Sequence, residues 1–381
     1  MGFILDRLVK VFTSLRLTVV LLAFGLILVF WGTLAQVHLG LYRAQNEFFR
    51  SWLVYWQPAG SGFKLPIFPG GYLIGGLLLI NLTAAHTRYY KTGWRKIGIV
   101  MIHAGLVLLL LGQFATDFLA QESTLHLRNG ETRNYTEADR SYELAIVDVT
   151  DAAAHKVVAI PLRALQAGPV SVPQLPFTVR AKALYPNSDV QDKSGEGFAA
   201  VPAGGVGAGL WWRERPRETA MDRRDMPSVI VELNSPQGAD GHHFASAYLG
   251  RPDQFTAGGR RYELSLRLER FYLPYSLHLV EFRHDLYPGT QIPKNFSSRV
   301  RLQRPATGED REVLIYMNSP LRYGGQTFYQ ASFDPDDQGT VLQVVRNPGW
   351  LTPYFACLLV GAGLVTQFLL HLVPFLKRRM S

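Results

Sequence analysis

Three histidines stand in or beside long apolar runs: His86, His103 and His371. An ionisable side chain among aliphatic residues is costly in lipid, so it faces a protein interior, a ligand or a water path. A neutral imidazole with no polar neighbour is a common ligand for haem iron, through one ring nitrogen. His103, set between Met101-Ile102 and Ala104-Gly105-Leu106, has no short route to an aqueous edge and is the leading candidate for an axial ligand. His86 is two residues from Arg88, and His371 precedes Leu372-Val373-Pro374, so for both a snorkelling interfacial role competes with ligation. His38 stands apart, at the far end of the first apolar run. A haem b group would also need apolar walls and cations for its propionates. Arg88, Lys91, Arg95 and Lys96 form a cationic cluster beside the histidines, with Arg88 and Arg95 the nominated propionate partners.

The elements that must position these residues are membrane spans. Four stretches reach the roughly 20 residues needed to cross a bilayer: about 17–35, 67–85, 97–116 and 352–373. Pro66, Pro69, Gly70 and Gly71 crowd the start of the second, which proline near a helix start permits. The first run exceeds the 7–15 residues of a signal-peptide core, so it is read as an uncleaved anchor. Gly98, Gly105 and Gly112 recur every seven residues on the third, a stripe suited to a close helix or a flat ligand.

Charge sets the orientation. The chain of 381 residues carries a formal +9 and a mean hydropathy of +0.04. Residues 1–116 hold ten Lys/Arg against two acids, and residues 352–381 hold Lys377, Arg378, Arg379 and no acid. The basic balance therefore flanks the apolar runs and is no nucleic-acid footprint. By the positive-inside rule Arg7, Lys10, Arg16, the 88–96 cluster and the 377–379 cluster are cytoplasmic. Both termini are then inside, and residues 117–351 form a large domain on the outer face of a bacterial inner (cytoplasmic) membrane.

That domain reads as mainly β, a sandwich or an open barrel. Asn129-Gly130 separates the alternating run Ser123–Leu127 from the β-rich run Tyr142–Val149, a strong hairpin signal. Further strands are expected near 177–183, 227–233, 261–270, 276–282, 299–303, 312–317, 327–331 and 340–345, with no long helical period between them. Residues 184–226 depart from this pattern, with Gly204-Gly205-Val206-Gly207-Ala208-Gly209 ahead of Trp211-Trp212. The spacing is neither GxGxxG nor Walker A, and a mobile excursion whose tryptophans meet a membrane or a partner is expected instead. His126, His155, His278 and His284 are scattered, and His242-His243 are adjacent, so neither a metal set nor a nucleophile–base pair is expected here. One cysteine, Cys357, excludes an intrachain disulfide, a CxxC redox pair and a c-type haem attachment site; it is expected as a small buried hydrophobe.

The order of these pieces resembles the ResB component of system II cytochrome c maturation. The likeness runs along the whole chain. It is carried by Pro69-Gly70-Gly71, Ile80-Asn81-Leu82, His103-Ala104-Gly105-Leu106 and Leu111-Gly112 in the spans. In the β domain it is carried by Tyr287-Pro288-Gly289, Pro293-Lys294-Asn295-Phe296-Ser297, Asn318-Ser319-Pro320-Leu321 and Phe328-Tyr329-Gln330-Ala331-Ser332, and then by Asn347-Pro348-Gly349. The resemblance implies a non-catalytic subunit that, with a ResC-type partner, delivers haem across the membrane and presents apocytochrome c for attachment. It implies a transient haem b with His103 as one axial ligand and another from the partner. None of the seven tryptophans forms the partner's tryptophan-rich motif, so a separate ResC-type protein and a separate thiol reductant are implied. Ending soon after the fourth span, the chain is expected to carry no fused partner. Two other readings stay open: a cytochrome b-like electron carrier using His86, His103 and His371, and a non-haem anchor for an envelope complex.

Overall fold

The computed structural model describes residue 7 and residues 9–58, 62–89, 93–220, 223–235, 238–290 and 292–380. Lys91 lies outside the described residues. The chain divides into two units. One comprises Met1–Ala120, Thr219–Met221 and Asn347–Ser381; the other comprises Gln121–Glu218 and Asp222–Arg346.

The first unit is built on four helices: α1 (Leu15–Leu39), α2 (Gly71–Tyr89), α3 (Ile97–Leu119) and α4 (Thr352–Met380). Helix α1 starts at Ser14, whose Oγ accepts from the Arg16 amide, and stops at Gly40 in a positive-φ conformation. Its apolar residues run round the whole helix and stay largely exposed, which suits a lipid solvent rather than a protein core. Three segments have the length and hydropathy of a span: Leu15–Leu39, Trp94–Leu119 and Thr352–Met380. Helix α2 has 19 residues, but Asn81, His86 and Arg88 lower its hydropathy.

Helix α2 begins four residues later than the expected Ile67. Leu65–Pro69 is a strand, paired antiparallel with Leu53–Trp56. The turn from strand to helix passes so close to the preceding chain that Cβ atoms on Gly70 and Gly71 would lie 2.3 Å from Ser51 O and 2.2 Å from Phe49 O. That close approach is the physical reason for the Pro-Gly-Gly sequence.

The glycine stripe of α3 packs against α4. Cβ atoms at Gly98, Gly105 and Gly112 would meet Gly363 O at 2.6 Å, Val360 Cγ2 at 2.5 Å and Thr352 Cγ2 at 2.6 Å. The matched residues fall as α3 rises, so the helices are antiparallel, with backbones in near contact. Asn347 tethers the start of α4, donating to Thr116 Oγ1 (3.2 Å) and accepting from the Gly349 amide (2.9 Å). Cys357 is exposed on α4 rather than buried, because Ala356 takes the inward position.

The second unit is mainly β. Its principal sheet has ten antiparallel strands: β1 (Gln121–Arg128), β2 (Thr132–Asp148), β3 (Lys156–Pro161), β4 (Asp253–Ala257), β5 (Arg260–Leu286), β6 (Pro293–Arg304), β7 (Glu309–Tyr316), β8 (Leu321–Tyr323), β9 (Gln326–Phe333) and β10 (Gly339–Arg346). The order is β7-β6-β5-β2-β1-β10-β9-β8, with β4 on β5 and β3 on β2. Asn129-Gly130 turns between β1 and β2, with Gly130 at φ +82, as the hairpin signal requires. A three-stranded sheet joins Thr178–Tyr185, Ser228–Ser235 and Gly238–Ser246. The 27-residue β5 serves two cores: its first half packs with Leu144, Ile146 and Val231, and its second half with Leu127, Val300 and Phe328.

The excursion over 184–226 is anchored. Trp212 is 3% exposed, tilted against Tyr185 and edge-on to Phe244, so it fills a small core rather than a surface, while Trp211 is half-buried. The glycines ahead of it allow close packing: Cβ atoms on Gly205 and Gly207 would lie 2.0 Å from Asp253 Oδ1 and 2.7 Å from Phe244 Cβ.

A paired-histidine cavity in the helical unit

His103 is two residues before Gly105, about 200° around a helix of 3.6 residues per turn. The stripe that packs on α4 therefore leaves His103 on the opposite face of α3, towards α2. His86, in the last turn of α2, meets it there, with ring centroids 5.4 Å apart and planes tilted by 54°.

The two rings line a cavity of about 630 Å³ with Asn81, Lys96, Ile99 and Ser14 among its other lining residues. That volume falls within the roughly 300–1,000 Å³ of small-molecule and cofactor sites. The walls are mixed. Leu82, Ala85, Ile99 and Val100 supply apolar surface, and Thr13, Ser14, Thr18 and Asn81 a polar side. His103 Nδ1 is buried with no hydrogen-bond partner among the described residues. The unpartnered Nδ1 leaves a ring nitrogen of His103 uncommitted among aliphatic walls, as a donor to a haem iron must be.

Two imidazoles cannot sit trans across one iron in this arrangement. Metal–nitrogen bonds near 2 Å put trans ring centroids roughly 6 Å apart or more, against the 5.4 Å observed. His371 takes no part: it is exposed on α4, where Gln367 Nε2 donates to its Nε2 at 2.8 Å. Gln367 is also the residue packed on Gly98, so His371 belongs to the stripe side of α3, away from His103.

The nominated cations separate as well. Lys96 lines the cavity, whereas Arg88 and Arg95 do not, and the Arg95 carbonyl faces Gln367 Nε2 at 3.5 Å. From sequence, Asn81 enters only with the resemblance and Lys96 only with the cationic cluster, and neither is given a place in this site. Their signal is spacing: Lys96 is seven residues before His103, and Asn81 five before His86, each about two turns or fewer away along its helix.

Four of the β-domain histidines, His126, His243, His278 and His284, are held by local partners. His126 Nε2 bonds Asp334 at 2.9 Å, His278 Nδ1 bonds Thr132 at 2.8 Å and His243 Nδ1 bonds Asp253 at 2.7 Å. His284 stacks between Phe296 and Phe333. No group of three or more metal-ligating side chains occurs among the described residues.

Comparison with known proteins gives two findings. Residues 228–341, from the strand Ser228–Ser235 into β10, match the model of the ResB-like family. The chain is also 25% identical over 297 residues to the protein named NrfI of Wolinella succinogenes, a match covering 77% of this chain and 29% of that relative. The chain thus spans under a third of the length of the relative it matches.

Proposed function

We propose that this chain, ResB-like in its β domain, works in cytochrome c maturation as a four-span, non-catalytic subunit that holds haem b at His103 and presents apocytochrome c to a ResC-type partner. The observation that carries the reading is His103 in a cavity of about 630 Å³, on the face of α3 turned away from α4. The ResB-like segment supports the assignment to cytochrome c biogenesis.

When bound, haem supplies the iron to be ligated and the group that becomes attached to the apocytochrome. The residues of this chain bind and orient it. A His103 ring nitrogen would hold its iron. Ile99, Val100, Leu82 and Ala85 exclude water from the macrocycle, and the Lys96 ammonium stands at the same cavity to meet a propionate. The 5.4 Å spacing of His86 and His103 disfavours a bis-histidine cytochrome b within this chain, and a further ligand would come from the partner. Both termini and the cavity face the cytoplasm in this reading, as the basic clusters require, and the β domain lies on the outer face of the bacterial inner membrane. Without a CxxC the chain relies on a separate thiol reductant.

Deletion of the gene is expected to remove the covalently haem-stained c-type bands while b-type haem persists. Normal c-type bands in the deletion strain would exclude the proposal.

A further inference from the structure

We propose that Asn81 is a positioning residue for the site at His103: it fixes the Phe12–Leu15 elbow as one wall of the cavity and so governs how firmly the site retains an iron porphyrin. This deepens the haem-site reading and rests on it.

Asn81 is 1% exposed in the middle of an apolar helix. A buried amide in lipid is costly unless its groups are satisfied, and here they are spent on one place. Its Nδ2 donates to Phe12 O (2.8 Å) and Ser14 O (3.2 Å), and its Oδ1 accepts from Thr18 Oγ1 (2.6 Å). The chain is helical up to Phe12, turns at Thr13 and restarts as α1 at Leu15. The Phe12 carbonyl ends the first helical run, and the Ser14 carbonyl takes only a long 3.4 Å bond from the Thr18 amide, so both have room for a further donor. Asn81 supplies the donors from 67 and 69 residues away in sequence.

The elbow is also a wall of the ligand site. Thr13, Ser14, Leu15 and Thr18 line the same cavity as His86 and His103. Asn81 lies between them, five residues before His86 on α2. A single side chain therefore sets the distance from the elbow to the helix facing His103. Packing alone would be served by leucine at this position; the amide serves the two elbow carbonyls.

The test uses the full chain co-expressed with its ResC-type partner, in a Cys357→Ser background carrying Ser14→Cys as a thiol probe. Asn81→Ala is expected to raise maleimide labelling of that thiol at least fivefold. Haem per mole of protein should fall below one third, while the residual band keeps its wild-type wavelength because His103 still ligates. Asn81→Asp keeps the volume and the acceptor for Thr18 but loses both donations, and is expected to behave likewise. Thr18→Val leaves the elbow bonds in place and should change labelling less than twofold. Unchanged haem and labelling in both Asn81 variants overturns the proposal, as does haem loss without faster labelling. His103→Ala run alongside separates the two levels. Haem lost there but kept in the Asn81 variants sinks only this inference, and haem surviving His103→Ala sinks the site reading with it.

Discussion

The rings of His86 and His103 lie 5.4 Å apart across the cleft between α2 and α3, close enough to share a cavity and too close to share an iron from opposite sides. The two histidines are unequal by place: His103 lies inside α3 with its Nδ1 unpartnered, whereas His86 lies in the last turn of α2. One can ligate a porphyrin iron only if the other stands aside or serves as a neighbour.

The inequality has a spectroscopic consequence. His103→Ala is expected to abolish the haem bands of the detergent-purified protein with its partner. His86→Ala should retain more than half of them, at unchanged wavelength. Equal loss in both variants, read by absorbance per mole of protein, would mean that the rings are interchangeable and the pair geometry uninformative.

The α3–α4 contact depends on the absence of side chains. Gly105→Ala places a Cβ 2.5 Å from Val360 Cγ2 and 2.9 Å from Ala356 O, and a backbone oxygen has little room to yield. Overpacking of this kind costs about 1–3 kcal/mol. Gly76→Ala meets nothing within 4 Å and serves as the control. Thermal unfolding in detergent should separate the two variants, with Gly76→Ala at or above wild type because alanine favours helix. Indistinguishable midpoints would show that the stripe tolerates a methyl group.

Acid should weaken the β domain. The Tyr323 hydroxyl and then Arg311 hold the Glu309 carboxyl below its ordinary value of 4.5, and Arg301 holds Asp310 below 3.8. Arg128 does the same for Asp336. For groups lowered in the folded state, the stability they add is present above their ordinary values and is lost as pH falls through those values towards the folded ones. Circular-dichroism melts should therefore show a declining midpoint from roughly pH 5 downward, with a shallower decline in Asp310→Asn. A midpoint flat to pH 3 would contradict the assignment of these pairs.

Much of this architecture is legible along the chain, and what is not has a spatial cause. Hydropathy finds α1, α3 and α4, because lipid burial rewards a continuous apolar run. It misplaces the start of α2, because Pro69-Gly70-Gly71 answers a backbone approach to Phe49 and Ser51 that no window of sequence contains. His103 is visible as a lone imidazole in an apolar helix. Its companion is not, since His86 resembles an interfacial residue until α2 and α3 are laid side by side. Asn81 is hidden for the same reason: its bonds to Phe12, Ser14 and Thr18 span more than 60 positions. The tryptophans after the glycine-rich stretch mislead in the opposite direction. Large aromatic rings beside a flexible composition suggest a surface probe, yet Trp212 fills a core that the glycines allow to close.

That core rests on one buried carboxylate. Asp253 is 2% exposed, accepts from the Val206 amide at 2.8 Å and meets His243 Nδ1 at 2.7 Å, so it joins the glycine-rich loop to two strands. Removing it leaves a buried amide and a mostly buried imidazole without their acceptor, a loss of about 2–4 kcal/mol for hydrogen-bonded charged groups. Gly205→Ala should reach a similar end by steric means, since its Cβ would fall 2.0 Å from Asp253 Oδ1 at a φ of +59. In both variants the loop is expected to lift from Phe244, exposing Trp212 and freeing the backbone beside the already exposed arginines that follow it. Trypsin should then cut after Arg213 and Arg217 at least tenfold faster than in wild type, with a red shift of tryptophan emission. Gly204→Ala, with nothing within 4 Å of its Cβ, should be cut at the wild-type rate. If Asp253→Ala and Gly204→Ala are cleaved alike, the loop is held by its hydrophobic contacts alone and the Asp253 anchor is dispensable.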